Sequence, residues 1–428
     1  MSIKSRTPAP TRRSPRGIGT PELVILLLAA VLAAATALLG AGEGADRAVP
    51  SERTASPAHI RLIERRVEAL RGLRFRRPVP VAIVSPARAR REGLADFDRR
   101  QPPARQRANE ELLELLGLLP AGTDLRAVEA SVFEEQVAGY YDPHRKRLAL
   151  VRGAGVDDVT LAHELTHALE DQHADLERLG SGGGDDASTA QQALVEGSAT
   201  VVMERYAMRW PSDAPLGDAL AGLTQVTGAR PLPQYVARSL VFPYLQGEAF
   251  VQALVRADDD GWKLVDLAER TRPPISTAEI LQPLRWLRAE QPAPVSLVAS
   301  ERVLRTAGGW RRLAGSTLGA EDVAALLSPS SGPLAARRLT AGWRGGRYAL
   351  WRRGALTDAG CRAPCRSRDA AVLAVRASTS RSAQRLGRAL RRWSARLPAG
   401  SATAVAVDGA AVRVALAPRR ALAARLTR

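Results

Sequence analysis

The stretch LAHELTHALEDQH, residues 161–173, constrains this chain more than any other, because it places three of the five histidines on one predicted helix. Successive residues of an α-helix are rotated by about 100°, so His163 and His167 lie about 40° apart on one face. Their imidazoles can therefore reach a single zinc ion at about 2 Å. Glu164 lies close enough to take a proton from a metal-bound water without binding the metal itself. The spacing predicts a helical metal site with a general base beside it.

His173 raises the question of the third ligand, because the stretch matches the spacing His-Glu-x-x-His-x-x-Gly-x-x-His of the metzincin proteases. In that pattern a glycine breaks the helix and returns the third histidine to the metal. Here the glycine position holds Glu170, a good helix former. On a continuous helix His173 lies about 120° around from His167. We therefore expect His173 to lie at the surface or behind the ligands.

Glu196 is the better candidate, because it is a lone acid within the apolar stretch ALVEGSAT of the helix predicted over 189–208. A buried carboxylate without a partner is costly, so its presence there favours a nearby cation. Gly197 is expected to allow close packing against the metal helix. The alternatives are an ion pair with Arg205 or a solvated face, and Glu204 is the alternative ligand.

Asp171 lies one turn beyond His167 on the same side of the predicted helix. A carboxylate in that position is a candidate to accept the ring N–H of a ligand histidine and fix its tautomer. The alternative is an ordinary surface acid.

His163-Glu164-x-x-His167, followed by Glu196 on a later helix, resembles the gluzincin branch of the zincin metallopeptidases. VEGSAT is similar to the third-ligand helix of the aminopeptidase-like lineage. The segments from GYYDP through YLQGEAF to PPISTAEIL, over about residues 55–290, resemble a group of exported bacterial metallopeptidases.

This resemblance implies one zinc ion held by two histidines and a glutamate, with an open position for water, and a peptide or protein as substrate. Glu164 would act as the general base when the zinc-bound water attacks a peptide carbonyl. Tyr244 is our candidate for the group that helps hold the oxyanion, and a packed aromatic beside Pro243 is the alternative. The strand predicted over 147–151 is expected at a sheet edge, where zincins pair an extended substrate.

The hydrophobic pattern predicts an α+β protein: a zincin-like catalytic domain, mostly helical with a small sheet, followed by a small basic α+β domain. Helices are expected over 57–73, 107–119, 189–208 and 239–257, the last interrupted near Pro243, and strands over 79–85 and 147–151. The metal helix is expected to end near Leu179. Capping boxes at Ser188–Gln191 and Ser276–Glu279 are expected to begin two further helices.

The expected segments are 1–22 (basic and cytoplasmic), 23–40 (signal peptide or transmembrane anchor), 41–56 (linker), 57–290 (catalytic domain) and 295–428 (basic domain).

The N-terminal segment indicates export. Five basic residues within the first sixteen precede the apolar run at 23–40, which predicts a cytoplasmic N-terminus and an extracytoplasmic remainder, either anchored in the membrane or secreted. Cys361 and Cys365 fit an oxidising compartment, where they can close one small disulfide loop, and the reduced state is the alternative.

The formal charge of +18 is concentrated at the C-terminal end, where 25 arginines stand against six acids from residue 291 onward. Such a domain can attract anionic envelope polymers, although scattered solvated arginines are the simpler interpretation. Few aromatic residues accompany these arginines, so no nucleic-acid partner is expected. The alternative to a peptidase is a membrane-anchored envelope-binding protein with a structural or vestigial zinc site. Glu164 argues against it, because a structural site needs no general base.

Overall fold

The computed structural model describes residues 56–136, 138–179, 183–211, 232–354 and 364–428, which form the predicted α+β structure. The N-terminal part begins with α1 (Pro57–Arg71), β1 (Val81–Val84), α2 (Pro86–Arg100), α3 (Pro103–Leu115), α4 (Leu125–Gln136), β2 (Gly139–Asp142) and β3 (Arg147–Val151). It continues with α5 (Asp158–Ala174), α6 (Asp185–Arg209), α7 (Gln234–Ala257), α8 (Lys263–Arg270), α9 (Thr277–Leu281) and α10 (Pro283–Leu287).

The C-terminal part contains α11 (Val298–Thr306), β4 (Trp310–Thr317), α12 (Ala320–Ser331), α13 (Pro333–Thr340), β5 (Trp343–Arg353), β6 (Asp369–Ala377), α14 (Ser380–Ser394), β7 (Ala402–Asp408), β8 (Ala411–Ala417) and α15 (Arg420–Leu426). Its sheet has the order β4-β5-β6-β8-β7, and every neighbouring pair is antiparallel. Helices cover both faces. Helix α14 packs on one face and α15 on the other, each through its own buried cluster.

The N-terminal sheet is small and has the order β1-β3-β2, with β1 parallel and β2 antiparallel to β3. The prediction that the strand over 147–151 lies at a sheet edge is wrong, because β3 is the central strand. The strand next to the metal helix is β2, which the sequence pattern did not predict. All four of its residues are buried.

Helix α5 begins at Asp158, because the Asp157 side chain caps it by accepting the backbone N–H of Thr160 at 2.7 Å. It ends at Ala174, five residues before the predicted end at Leu179. Asp175 adopts a left-handed conformation there (φ 57°), and the Asp171 carboxylate accepts the N–H of Leu176 at 2.9 Å. These local bonds turn the chain out of the helix.

Helix α6 starts at Asp185, so Ser188 lies within the helix and the capping box predicted there is wrong. Two hydroxyls of strand β4 cap the extra N-terminal turn of α6. The Ser316 hydroxyl accepts the backbone N–H of Asp185, and the Thr317 hydroxyl accepts that of Asp186. The capping box at Ser276–Glu279 is confirmed.

Helix α7 continues through Pro243 without the predicted interruption. A proline removes one backbone hydrogen bond, and the long buried face of α7 offsets that loss. Helices α6 and α7 cross where Gly197 meets Gly247. A Cβ at Gly197 would lie 2.1 Å from the carbonyl carbon of Gly247. The expectation that Gly197 packs against the metal helix is therefore wrong: its neighbour is α7.

Two further predictions concern the compartment. Among the helices that the structure describes, none is long and apolar enough to cross a membrane, and the apolar run at 23–40 lies outside the described residues. Cys365 is disulfide-bonded, whereas Cys361 lies outside the described residues.

Candidate metal centre

Three side chains from two helices meet beneath the N-terminal sheet. The Nε2 atoms of His163 and His167 lie 3.0 Å apart on α5. Oε2 of Glu196, on α6, lies 3.4 Å from each of these nitrogens. All three residues are buried, and Glu196 is fully inaccessible to solvent. The structure therefore brings together the three predicted ligands.

The unpaired atoms of this cluster fit a bound cation. Both carboxylate oxygens of Glu196 and the Nδ1 atoms of both histidines are buried without a hydrogen-bond partner. A buried carboxylate in that state is costly unless a positive charge accompanies it. Two imidazoles and a carboxylate are a donor set that divalent metals accept. His163, His167 and Glu196 can therefore hold a metal ion.

Without a metal ion, the pKa values of the three groups indicate that the cluster binds one proton, on an imidazole and not on the carboxylate. Burial raises the pKa of Glu196, but the two histidines outweigh burial and lower it to about 2. Burial lowers the pKa of His163. Burial also lowers that of His167, but Glu196 and Glu164 outweigh it and raise the value to about 9. The metal-free cluster thus has an ionised carboxylate beside one charged and one neutral imidazole.

Glu164 lies beside the cluster and has one free oxygen. Its Oε2 accepts the backbone N–H of Tyr141, on β2, at 2.6 Å, whereas Oε1 is buried without a hydrogen-bond partner. Burial raises the pKa of this carboxyl to about 7. A carboxyl with a pKa near neutrality can both take up and release a proton, which is what a general base and acid requires.

Asp171 does not have the role we predicted. Its carboxylate accepts the hydroxyl of Tyr141 at 2.6 Å and the ammonium of Lys146 at 2.9 Å. The Nδ1 atoms of both ligand histidines are without a hydrogen-bond partner. The expected bond from His167 to Asp171 is thus absent among the described contacts, because β2 and the turn after it occupy that carboxylate. Asp171 instead ties β2 to the metal helix.

Tyr244, the candidate for the oxyanion, does lie at the cluster. Its ring stacks on that of His163, with centroids 6.1 Å apart and planes 18° apart. Its hydroxyl is buried and has no hydrogen-bond partner. Burial, followed by the charge of Glu196, raises the pKa of this hydroxyl, so it stays protonated and available as a donor. The glycine crossing of α6 and α7 positions it, since Gly247 lies one turn after Tyr244.

The alternative ligands are excluded by their positions. His173 donates its Nε2–H to the carbonyl of Arg74 at 2.8 Å and points away from the cluster, as expected. Glu204 accepts a bond from Gln252 and is paired with Glu248, not with the metal cluster. The expected alternative partner of Glu196, Arg205, instead lies over the ring of Trp262.

A second buried charged network lies one turn further along α5, and no sequence pattern predicted it. Glu170, at the metzincin glycine position, accepts bonds from Arg71 Nε at 2.9 Å and from the hydroxyl of Ser198. Arg71 also contacts Glu269 at 2.9 Å and Asp266 at 2.8 Å. Arg71 is fully buried. The network joins α1, α5, α6 and α8 behind the metal ligands.

No model of a known protein family matches the chain, and no curated protein matches it. Among solved structures, it is similar to a crystal structure from Chloroflexus aurantiacus described as "a putative hydrolase with a novel fold". The sequences are 21% identical, the TM-score is 0.33, and the match covers 63% of this chain and 100% of the other. A similarity at this TM-score says nothing about activity, so the function is inferred from the site.

Proposed function

We propose that the protein is an exported or membrane-anchored, zinc-dependent hydrolase that cleaves peptide bonds. The observation that carries the proposal is the convergence of His163 Nε2, His167 Nε2 and Glu196 Oε2 within 3.4 Å of one another, beside a free oxygen of Glu164. The resemblance to gluzincins supports peptides as the substrate class. The disulfide-bonded state of Cys365 supports an oxidising compartment outside the cytoplasm.

Zinc is the proposed ion because it is commonly bound by histidine nitrogen and carboxylate oxygen together. Such an ion supplies Lewis acidity, polarising a substrate carbonyl and making a water molecule more acidic. His163, His167 and Glu196 would hold it.

Glu164 handles the proton in this proposal. The N–H of Tyr141 fixes one of its oxygens, so the free oxygen has a defined position from which to accept a proton from the attacking water. The same carboxyl then delivers the proton to the leaving amine.

Tyr244 donates its hydroxyl to the carbonyl oxygen as negative charge develops there. The hydroxyl is buried and protonated beside Glu196, so it can donate to a substrate oxygen at the cluster.

The decisive experiment compares Glu164→Gln with Glu177→Gln, an exposed glutamate that pairs with His144. Zinc content is measured by elemental analysis, and hydrolysis is measured on a peptide library by mass spectrometry. We expect both variants to keep zinc, Glu164→Gln to lose about 10²–10⁴-fold in hydrolysis, and Glu177→Gln to retain full activity. Equal hydrolysis by the two variants would contradict the proposal. Zinc binding without hydrolysis by the unaltered protein would favour the envelope-binding alternative.

The role of Tyr244 is tested by Tyr244→Phe, with Tyr206→Phe as control. Tyr206 is a buried tyrosine whose hydroxyl accepts a bond from Arg66, away from the cluster. Loss of one oxyanion donor costs about 10²–10³-fold in kcat. We expect that loss with KM nearly unchanged for Tyr244→Phe and no loss for the control. A change confined to KM would assign Tyr244 to substrate binding instead.

A further inference from the structure

Helix α14 carries four arginines in a straight row. Arg381, Arg385, Arg388 and Arg392 are all exposed, and we call them the arginine row. At 100° per residue they fall within a sector of about 60°, and at 1.5 Å per residue the row is about 16 Å long. The row therefore presents a line of positive charge on one face of one helix.

The opposite face of α14 fixes the helix to the protein. Its buried residues pack on the C-terminal sheet within one apolar cluster: Ala383, Leu386, Ala389, Leu390 and Trp393. Because the apolar face is already covered, α14 has no apolar surface left to insert elsewhere. Whatever the arginine row contacts, it contacts through charge and hydrogen bonds.

The arginine row has no acidic partner within the part of the chain that the structure describes. None of its four residues forms an ion pair there, and residues 370–407 contain seven arginines and no acid. Two arginines of β5, by contrast, do have partners. Arg352 pairs with Asp369 and Glu111, and Arg344 pairs with Glu290. The row is thus distinguished by its alignment together with its unpaired charge.

We propose that the arginine row docks the C-terminal domain on an anionic phospholipid surface. A straight row on a rigid helix matches a plane of phosphate headgroups, and arginine binds phosphate with two parallel hydrogen bonds. The predicted anchor at 23–40 supports a membrane as the surface. The 16-residue linker at 41–56 spans at most about 55 Å, so an anchored chain stays close to the bilayer.

Each basic side chain near an anionic bilayer contributes about 1 kcal/mol, a factor of about five in the docked population. Loss of two members of the row should therefore lower that population about 25-fold. The attraction should also weaken steeply with salt, because the screening length falls from about 10 Å at 0.1 M to about 3 Å at 1 M. This inference does not depend on the proposed peptidase activity.

The test uses the full chain in lipid nanodiscs, made either from zwitterionic lipid alone or with about one-third anionic phospholipid. Modification of individual arginines by phenylglyoxal is followed by mass spectrometry. Arg302 and Arg425, on α11 and α15, lie on helices at the other face of the sheet and serve as internal controls. We expect the row to be modified at least about fivefold more slowly in anionic discs at low salt, the protection to vanish at 1 M salt, and the controls to be unchanged.

A charge-reversal pair completes the test. Arg385→Glu with Arg388→Glu should abolish protection of Arg381 and Arg392, whereas Arg302→Glu with Arg425→Glu, the same change in net charge, should leave it intact. Equal modification rates in both kinds of disc would overturn the proposal. Protection by polyphosphate or DNA in solution, with none by anionic lipid, would also overturn it, because it would assign the row to a soluble anionic polymer.

Discussion

Helix α5 contributes to two buried charged centres that differ in where their positive charge comes from. At His163, His167 and Glu196, the carboxylate oxygens have no hydrogen-bond partner. One turn further along, Glu170 accepts bonds from the guanidinium of Arg71 and the hydroxyl of Ser198. The two centres are equally inaccessible to solvent.

The comparison shows how a binding site differs from a structural ion pair in the same core. Arg71 is a cation that the chain itself supplies, so the acids of the second centre have a counter-charge in the folded protein, although Glu170 Oε2 and Glu269 Oε1 have no hydrogen-bond partner. Burial also raises the pKa of Glu269 to about 8, so Arg71 is not faced by three fully charged acids. In the metal cluster, by contrast, the positive charge that faces Glu196 is a proton on His167, which a bound ion can replace. It is therefore the centre at which an external ion would stabilise the fold.

The largest expected effect on stability concerns the centre around Arg71. Arg71→Ala leaves Glu170 and its neighbours buried without a cation, which should lower the free energy of unfolding by about 3–5 kcal/mol. Arg74→Ala is the control, since the Arg74 side chain is 86% exposed and its ion pair with Glu68 should contribute less than about 1 kcal/mol. Urea denaturation measures both. A loss below about 1 kcal/mol for Arg71→Ala would show that the second centre does not need its arginine.

The next largest effect on stability concerns the metal cluster. Zinc at 100 times its dissociation constant should raise the free energy of unfolding by about 2.7 kcal/mol, and a chelator should remove that gain. Glu196→Gln should abolish the gain, whereas Glu204→Gln, two turns further along the same helix, should preserve it. Thermal denaturation with zinc and with chelator gives the difference. If zinc still raised the free energy of unfolding of Glu196→Gln by the same amount, Glu196 would not be a ligand.

The smallest expected effect on stability comes from Asp186. This acid is buried without a cation, as a protonated carboxyl. Burial, then the charge of Asp322, raises the pKa of Asp186 to about 7, while Thr277 donates its N–H and hydroxyl to the carboxyl. Because the folded state holds a proton that the unfolded state releases near pH 4, the contribution of Asp186 to stability should be fully present below pH 4 and should fall as pH rises to 7. Asp186→Asn keeps the acceptor and removes the titration.

We compare the free energy of unfolding of Asp186→Asn with that of the unaltered protein at each pH. This difference should shift in favour of the variant by at least about 1.4 kcal/mol between pH 4 and pH 7.5, the equivalent of one pKa unit. Urea denaturation at the two pH values measures this. Asp98→Asn is the control, because Asp98 is 39% exposed and pairs with Arg126 at the surface. A pH dependence unchanged by Asp186→Asn would mean that this carboxyl is ionised in the folded protein.

Residues related by helical periodicity were predictable from the sequence. The 100° rotation per residue placed His163 and His167 on one face and turned His173 away, and the structure agrees. Glu196 could be identified because a single acid within an apolar helix needs a partner. The resemblance to known metallopeptidases added Tyr244, which no spacing rule would have selected.

Contacts between residues distant in sequence were not predictable in the same way. The N–H of Tyr141 belongs to a short strand that pairs with its neighbour only through backbone bonds, so no side-chain pattern marks it. Arg71 meets Glu170 across 99 residues, and its position at the end of an amphipathic helix looks like that of any surface arginine. Helical spacing alone places Asp171 beside a histidine, whereas its actual partners come from a strand and a turn.

The meeting of Gly197 and Gly247 has a consequence for how this protein can vary. Main chain touches main chain there, so the separation of the two helices does not depend on the size of any side chain between them. The relative position of Glu196 and Tyr244 is therefore set at Gly197 and Gly247, since a side chain at either glycine would push α6 and α7 apart. Variation at this crossing is confined to residues other than these two glycines.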